Sequence, residues 1–229
     1  MPVKNSKPAT RVSKKKTTTR RSIGRPPASS PGVGRQALIE KTCELLRTMP
    51  PDKVTRAAVA RHAKVDPSLI RYYFKERSAL LVAATEQITS QFSNVIAKGV
   101  ATSHSPADLL RLRLETLLST NLANPFFHRL MVDEIVPSKT AAAKQLLHKV
   151  NSRALAGYTS ILEAGTKDGS LRQVEPAFLF IAVIGMCEFF LNGLPILKNL
   201  LGEDLDEEAT TLRYREFVFD LLMNGLSNK

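Results

Sequence analysis

From residue 35 to the end of the chain, apolar residues recur at intervals of three and four positions. This spacing places side chains on one face of an α-helix, as it does for Ile39, Cys43 and Leu46 in the first such stretch. No convincing run of alternating apolar and polar residues indicates a strand. The pattern therefore predicts an all-α fold.

Prolines, glycines and capping residues divide this pattern into about nine helices. A first helical turn tolerates proline, and Pro106, Pro125 and Pro176 stand where such turns are expected. The run Asn192-Gly193-Leu194-Pro195 is typical of a helix end. The predicted helices cover residues 35–48, 55–63, 66–74, 77–98, 106–122, 125–135, 138–166, 176–192 and 207–224.

Residues 55–74 predict a helix-turn-helix. Thr55 is a good N-cap for a short helix that runs to Ala63, and Asp66 followed by Pro67 favours the start of the next one. The turn between them is three residues long, 64–66. Two such helices, packed through small residues, leave one face of the second free to enter the major groove of DNA. The small packing residues are Ala60, Ala63, Val65 and Ile70.

The second helix of this motif supplies candidate DNA contacts. Ile70 and Phe74 lie four positions apart and are expected to point inward. Arg71 suits a bidentate hydrogen bond to guanine, and Ser68 suits a hydrogen bond to either base partner. Candidates for contact with a thymine methyl are Pro67 and Leu69, and candidates for contact with phosphates are Thr55, Arg56, Tyr72, Tyr73, Lys75 and Arg77.

Positive charge is concentrated at the start of the chain. The formal net charge is +12, and residues 1–35 hold ten Lys or Arg and no acid, so the other 23 basic residues face 21 acidic ones. Residues 1–34, rich in Lys, Arg, Ser, Thr and Pro, are predicted to form a disordered basic arm. Because Gly24-Arg25-Pro26 resembles an AT-hook, the arm either inserts arginine into an A·T minor groove or adds only nonspecific attraction to phosphates.

The segment Ile70-Arg71-Tyr72-Tyr73-Phe74, followed by Arg77 and Leu80, resembles the DNA-binding head of the TetR (tetracycline-repressor-like) family. The resemblance covers residues 35–84, which we call the head. It implies that the second and third helices form the helix-turn-helix. It also implies that Arg77, the basic residue at the start of the fourth helix, binds a phosphate of the DNA backbone. It also implies a helical dimerisation and ligand-binding domain over residues 85–229, which we call the body.

Three residues of the head depart from the family pattern. Arg77 replaces the usual lysine and keeps the charge, and Tyr73 replaces a common histidine and keeps a hydrogen-bond donor. Lys64 occupies the turn position where the family usually has glycine. If this position needs a positive φ, a residue other than glycine costs on the order of 1 kcal/mol of strain there.

The last two predicted helices are expected to carry the dimer interface. Helix-turn-helix dimers contact two half-sites about one helical turn apart, or a multiple of that, so one head per chain requires a two-fold partner. Pairing across a dyad would give a four-helix bundle, and the alternative is an intramolecular core. The candidate interface residues are Phe178, Ile181, Ala182, Gly185, Met186, Phe189, Tyr214, Phe217, Val218, Leu221 and Leu222.

A small-molecule pocket is expected between the middle helices of the body. The alternative is that the same side chains are ordinary core, since aromatic and methionine residues at helical spacing usually are. The candidate lining residues are Leu118, Asn121, Leu122, Phe127, His128, Met131, Glu134 and Tyr158. No cofactor or metal is expected, because His128, Asp133 and Glu134 fall on different faces of a helix.

Other classes of protein are disfavoured. The sequence offers no nucleophile with a base and no phosphate-cradling glycine loop, so an enzyme is not expected. Cys43 and Cys187 lie far apart within apolar helical patterns, which indicates buried thiols in a cytoplasmic protein. The apolar run 176–197 contains Glu188, which favours a helix buried at a subunit interface over a membrane span.

These features predict a sequence-specific transcriptional regulator that binds a palindromic operator in double-stranded DNA as a homodimer. The family resemblance implies a repressor that a small-molecule effector releases from DNA. The alternative is an architectural or ligand-independent DNA-binding protein, which would lack a strong preference for one palindrome.

Overall fold

The computed structural model describes residues 34–103 and 105–227, and the predicted arm lies outside them apart from Gly34. Within the described residues the fold is all-α, as predicted, with one isolated β-bridge between Leu171 and Ser227. The helices are α1 (Arg35–Leu46), α2 (Arg56–His62), α3 (Pro67–Tyr73), α4 (Arg77–Val100), α5 (Pro106–Ala123), α6 (Phe127–Arg129), α7 (Ala141–Asp168), α8 (Pro176–Asn192), α9 (Leu194–Leu201) and α10 (Glu207–Leu226).

Side-chain caps fix where several helices begin. The hydroxyl of Thr55 accepts the N–H of Ala58 at 3.1 Å at the start of α2, and the hydroxyl of Ser105 does the same for Asp108 at the start of α5. Each cap satisfies a backbone donor that has no partner inside its helix. α7 ends where Gly169 takes a left-handed φ of 79°, a conformation that glycine adopts without strain.

The core of the head includes residues from much later in the chain. A π-helical segment, Leu130–Ile135, continues α6 and inserts apolar side chains beside α1 and α4. The largest buried side chains of this core are Leu38, Leu46, Val54, Ile70, Phe74, Leu80, Leu81, Leu130 and Ile135. The head and this segment of the body therefore share one hydrophobic core.

The rest of the body has a second core, in which α5 packs against α7, α8 and α10. Leu110 and Leu114 of α5 and Val183 and Cys187 of α8 are fully buried there. Tyr158 of α7 is 3% exposed in the same cluster. This core positions the polar residues of α5 that are described below.

Two segments differ from the predicted helices. Gly193 ends α8 as expected, but α9 begins at once, because Pro195 stands in its first turn, where proline is tolerated. Residues 125–135 form the short α6 and the π-helical segment instead of one α-helix. Apolar spacing over so few residues does not distinguish a π-helical turn from an α-helical one.

No single described helix is long and apolar enough to cross a membrane. α8 and α9 together have the length and composition of a span, but they are bent by 61° at the break between them.

Candidate nucleic-acid interface

The turn between α2 and α3 is tight. The N–H of Val65 donates to the carbonyl of Ala60 at 3.0 Å and closes the turn. Lys64 has a φ of 54°, and within residues 34–103 and 105–227 it is the one residue other than glycine with a positive φ. The strain expected from the sequence at this position is therefore present in the fold.

α3 is anchored to the head core by two residues. Ile70 is fully buried and Phe74, just beyond the helix, is 2% exposed, which confirms their predicted inward orientation. Leu69 is half-buried against the same core. The exposed residues of the segment are Pro67, Ser68, Arg71, Tyr72, Tyr73 and Lys75. A solvent-facing surface of this kind is what a recognition helix requires.

Asp66 holds the first turn of α3. Its carboxylate accepts the N–H of Ser68 at 2.7 Å. Hydrogen bonds from the hydroxyl and the N–H of Ser68 lower the pKa of Asp66, so the cap is ionised at neutral pH. The N–H of Ser68 is therefore committed to the cap, while its side chain lies on the exposed first turn of α3.

Arg71 is the most available cation on α3. It is exposed, and its guanidinium forms no hydrogen bond or ion pair with any residue that the structure describes. Tyr72 is 79% exposed, and its ring meets that of Tyr73 edge to face, with 5.0 Å between centroids. The two rings orient each other at the end of the helix.

The candidates around α2 have different roles. Thr55 is the N-cap of α2. Arg56 is half-buried and donates to the backbone carbonyl of Lys75, which joins the start of α2 to the end of α3. The ammonium of Lys75 itself is exposed. Among these three, Lys75 is the one whose side chain is free to reach a phosphate.

Arg77 is half-buried and bound by other residues of the chain. Its Nε donates to the carbonyl of Val54 at 2.9 Å, and its Nη2 donates to the carbonyl of Pro51. Its two Nη atoms also bind the carboxylate of Glu134, at 2.9 and 2.7 Å. The phosphate contact that the resemblance implies is therefore not the role that this geometry supports, because each nitrogen of the guanidinium already has an acceptor.

The outward side of α8 and α10 is strongly apolar. Phe178 and Phe189 of α8 are 77% and 73% exposed. The exposed members of the predicted interface are Phe178, Ile181, Ala182, Gly185, Phe189, Phe217 and Leu221. Large apolar side chains concentrated on one part of a surface typically mark a protein–protein contact.

Four other residues of the predicted interface are covered by the chain itself. Val218 and Leu222 lie in the body core, which corrects their assignment to the interface. The apolar stripe of α10 is wide enough to serve two contacts, and one half of it packs against α5. Tyr214 is half-buried, stacked on Phe190 at 3.9 Å, and its hydroxyl donates to the carbonyl of Met186.

The predicted pocket residues do not form one pocket. Phe127 and Met131 pack against the head core, because α6 and the π-helical segment turn toward the head. Glu134 is bound by the guanidinium of Arg77. His128 pairs with Glu188 of α8, at 2.6 Å between Nδ1 and the carboxylate.

The remaining four candidates for the pocket do not share one environment either. Leu122 is 47% exposed. Leu118, Asn121 and Tyr158 are buried in the body, where they fit the predicted location between the middle helices.

Arg113, in the same region, is not among the residues predicted from the sequence. This residue of α5 is 9% exposed, and its guanidinium carbon lies 5.0 Å from the centroid of the Tyr158 ring. Its burial could have been inferred from the helical spacing. Arg113 follows Leu110 by three positions and precedes Leu117 by four, which places it on the apolar side of the helix.

Both cysteines are buried and unbridged, as the sequence predicts. Burial raises the pKa of Cys43 to about 11 and that of Cys187 to about 12. Both thiols are therefore protonated at neutral pH and poorly nucleophilic.

Known proteins resemble this chain in sequence. Residues 103–229 match the family model for the tetracyclin repressor-like C-terminal domain. The HTH-type transcriptional regulator BetI of Escherichia coli strain K12 is 31% identical over 201 residues, an alignment that covers 81% of this chain and 92% of BetI.

Solved structures share the fold at lower identity. A regulator from Saccharomonospora viridis, in complex with choline, has a TM-score of 0.64 and 14% identity over 85% of this chain and 98% of its own. AibR, in complex with isovaleryl coenzyme A and operator DNA, has a TM-score of 0.58 and 12% identity over 69% of this chain and 85% of its own.

Proposed function

Since the chain belongs to the TetR family of transcriptional regulators, we propose that it is a ligand-responsive repressor that binds a palindromic operator as a homodimer. The observation that carries the proposal is the two-sided character of α3. Ile70 fixes the helix to the head core, while Arg71 projects from it with no partner among the described residues. A guanidinium held in this way can donate two hydrogen bonds to a guanine edge in the major groove.

The exposed apolar side of α8 and α10 supports the homodimer. Phe178, Phe189 and Phe217 are each at least 60% exposed on the isolated chain. A second copy related by a two-fold axis would bury these rings and place two α3 helices at a fixed separation. That arrangement is what a palindromic operator requires.

The contact between Arg77 and Glu134 supports a response to ligand. Arg77 opens α4 and is bound to backbone carbonyls of the head, whereas Glu134 belongs to the π-helical segment of the body. A ligand that shifts this segment changes the position of the head, provided that it binds the two arrangements with different affinity.

The test is selection of duplexes from a random pool by the purified full-length chain, followed by affinity measurements at one salt concentration. We expect a sequence with two inverted half-sites, two chains per duplex, and an affinity about 10³-fold or more above that for random DNA. Arg153→Ala is the matched control for variants of α3, because Arg153 is exposed on α7 in the body.

Equal affinity for all duplexes of the same length would contradict the proposal. It would instead favour the architectural alternative, in which phosphate contacts supply all of the binding energy. Mapping of bound sites in the genome of the source organism would then show broad occupancy without a shared palindrome.

A further inference from the structure

Among the residues that the structure describes, Arg113 is a buried cation without a counter-charge. It lies on α5 with 9% of its surface exposed, and no ion pair or hydrogen bond joins it to any residue that the structure describes. Its described contacts are the face of the Tyr158 ring and the backbone of Gly157. Removal of a charge from water without a partner is among the most unfavourable arrangements in a folded protein. The same desolvation lowers the pKa of Arg113.

The backbone of α7 leaves room for this guanidinium. A Cβ placed on Gly157 would lie 1.6 Å from Nη2 of Arg113 and 2.4 Å from its Cζ. Any side chain at residue 157 would therefore displace the guanidinium from its position. The position of the guanidinium therefore depends on glycine at residue 157.

A second buried polar group lies on the same helix. Asn121 is 6% exposed, and neither its amide nitrogen nor its amide oxygen has a hydrogen-bond partner in the described part of the chain. Eight residues separate it from Arg113, which is about 12 Å along an α-helix. Two uncompensated polar side chains on one helix are rare, because buried polar groups are nearly always hydrogen-bonded.

Tyr158, whose ring lies against Arg113, belongs to the hydrophobic core of the body, which α5 and α7 both help to form. Leu110, Leu114 and Leu118 lie on α5 itself, and Ile161 and Leu162 come from α7. All five are at most 4% exposed. A ligand that contacts both Arg113 and this core would therefore be mostly apolar.

We propose that Arg113 and Asn121 bind the effector, and that the effector is a monocarboxylate with an apolar body. This inference rests on the proposed function, in that it assigns the class of ligand to which the repressor responds. The carboxylate would pair with the guanidinium of Arg113, and a polar group further along the ligand would meet the amide of Asn121. The leucines of α5 would cover the apolar part of the ligand.

The positive charge of Arg113 disfavours other classes of ligand. A quaternary ammonium compound such as choline, found in the Saccharomonospora viridis structure, would bring a second cation beside an unpaired one. A coenzyme A thioester would bury several phosphate charges against one guanidinium, unless its nucleotide stays outside the body. One carboxylate neutralises one arginine.

The experiment compares matched ligands on the purified full-length protein without DNA. Butanoate, hexanoate, octanoate and decanoate are each titrated against the primary amide of the same length, and against choline and hexanoyl coenzyme A. Calorimetry measures affinity and thermal unfolding measures the shift in Tm. We expect at least one carboxylate to bind, and its amide to bind about 10- to 100-fold more weakly, the difference that a charged hydrogen-bonded pair supplies.

Variants test whether the carboxylate binds at Arg113. Arg113→Met should weaken the bound carboxylate about 10- to 100-fold while raising the Tm of the unliganded protein, because it removes an unpaired buried charge. Gly157→Ala should weaken the same ligand by displacing the guanidinium. Arg113→Lys should retain part of the affinity, and Arg153→Ala, exposed on the same helix as Gly157, should retain all of it.

Several results would overturn the inference. Among the ligands, these are equal affinity for a carboxylate and its amide, binding of choline or of the thioester alone, and no binding by any carboxylate. Among the variants, it is a lower Tm in Arg113→Met with unchanged ligand affinity. None of them bears on operator binding, which is measured separately. Loss of sequence preference with intact carboxylate binding would overturn the proposed function instead.

Discussion

Arg77 and Glu134 form a bidentate ion pair across the boundary between the head and the body, with N–O distances of 2.9 and 2.7 Å. Their side chains are 30% and 22% exposed, so water screens the pair less than it screens an ion pair on the surface. Arg77 also binds the carbonyls of Pro51 and Val54. A single side chain therefore fixes the start of α4 to the turn before α2 and to the body.

Glu134→Gln should destabilise the protein by about 1–3 kcal/mol, because it leaves a partly buried guanidinium without its counter-charge. For a chain of this length that corresponds to a fall in Tm of about 2–4 °C for each kcal/mol. Glu86→Gln is the control, since Glu86 pairs with Lys149 at 2.8 Å on the surface, where both side chains are more than 40% exposed. Equal Tm values for the two variants in a thermal melt would contradict a coupling role for Glu134.

Lys64→Gly should stabilise the head. The φ of 54° at Lys64 costs roughly 1 kcal/mol for a residue with a Cβ, and glycine removes that cost while adding some freedom to the unfolded chain. We expect a net gain of up to about 1 kcal/mol in the free energy of unfolding, measured with urea. Lys64→Ala removes the charge but keeps the Cβ, so it should show no such gain. A gain in both variants would assign the effect to charge.

Arg71→Ala should lose about 1–3 kcal/mol of binding free energy at one base position of the operator. The measurement is a set of duplexes with single substitutions, each titrated with the wild-type protein and with the variant. Loss of discrimination at one guanine, with the rest of the profile retained, is the expected outcome. A uniform loss on every duplex would reassign Arg71 to a phosphate.

Local chemistry makes much of this fold predictable from the sequence. The N-caps Thr55 and Asp66 act within three residues of themselves, so the predicted starts of α2 and α3 are correct. The inward orientation of Ile70 and Phe74 follows from helical period alone. The predicted α8 likewise coincides with the observed one, since proline and glycine mark its two ends.

Contacts between distant segments are not predictable in this way. The family resemblance assigns Arg77 to a phosphate, and its acceptor in the fold, Glu134, lies 57 residues further along the chain. The predicted pocket does not bring Phe127 together with Tyr158, because α6 packs on the head core. Arg113 escapes prediction because a charged residue is normally assigned to the surface, and its burial depends on the absence of a side chain at Gly157.

Deletion of residues 1–34 should weaken DNA binding and flatten its dependence on salt. The segment holds nine Lys or Arg and no acid, so its predicted contribution is attraction to phosphates. The slope of log affinity against log salt should fall by about one for each phosphate that the shortened chain no longer neutralises. A preference for A·T-rich flanking DNA that disappears with the deletion would identify minor-groove insertion, whereas an unchanged slope would show that the segment does not contact DNA.

Phe178→Lys and Phe189→Lys should convert the proposed dimer to a monomer. Each replaces an exposed ring on the apolar side of α8 with a charge that an apolar interface cannot accommodate without a partner. Sedimentation equilibrium should give the mass of one chain, and the affinity for a duplex with two half-sites should fall to that for a single half-site, because the two heads no longer bind together.

Val95→Lys is the matched control for the dimer variants. Val95 is 49% exposed on α4, a helix outside the proposed interface, and the substitution adds the same charge to the surface. It should leave both the mass and the operator affinity unchanged. If Phe178→Lys and Phe189→Lys also remain dimeric, the two copies must meet through another surface, and the spacing of the two α3 helices would have to be set there.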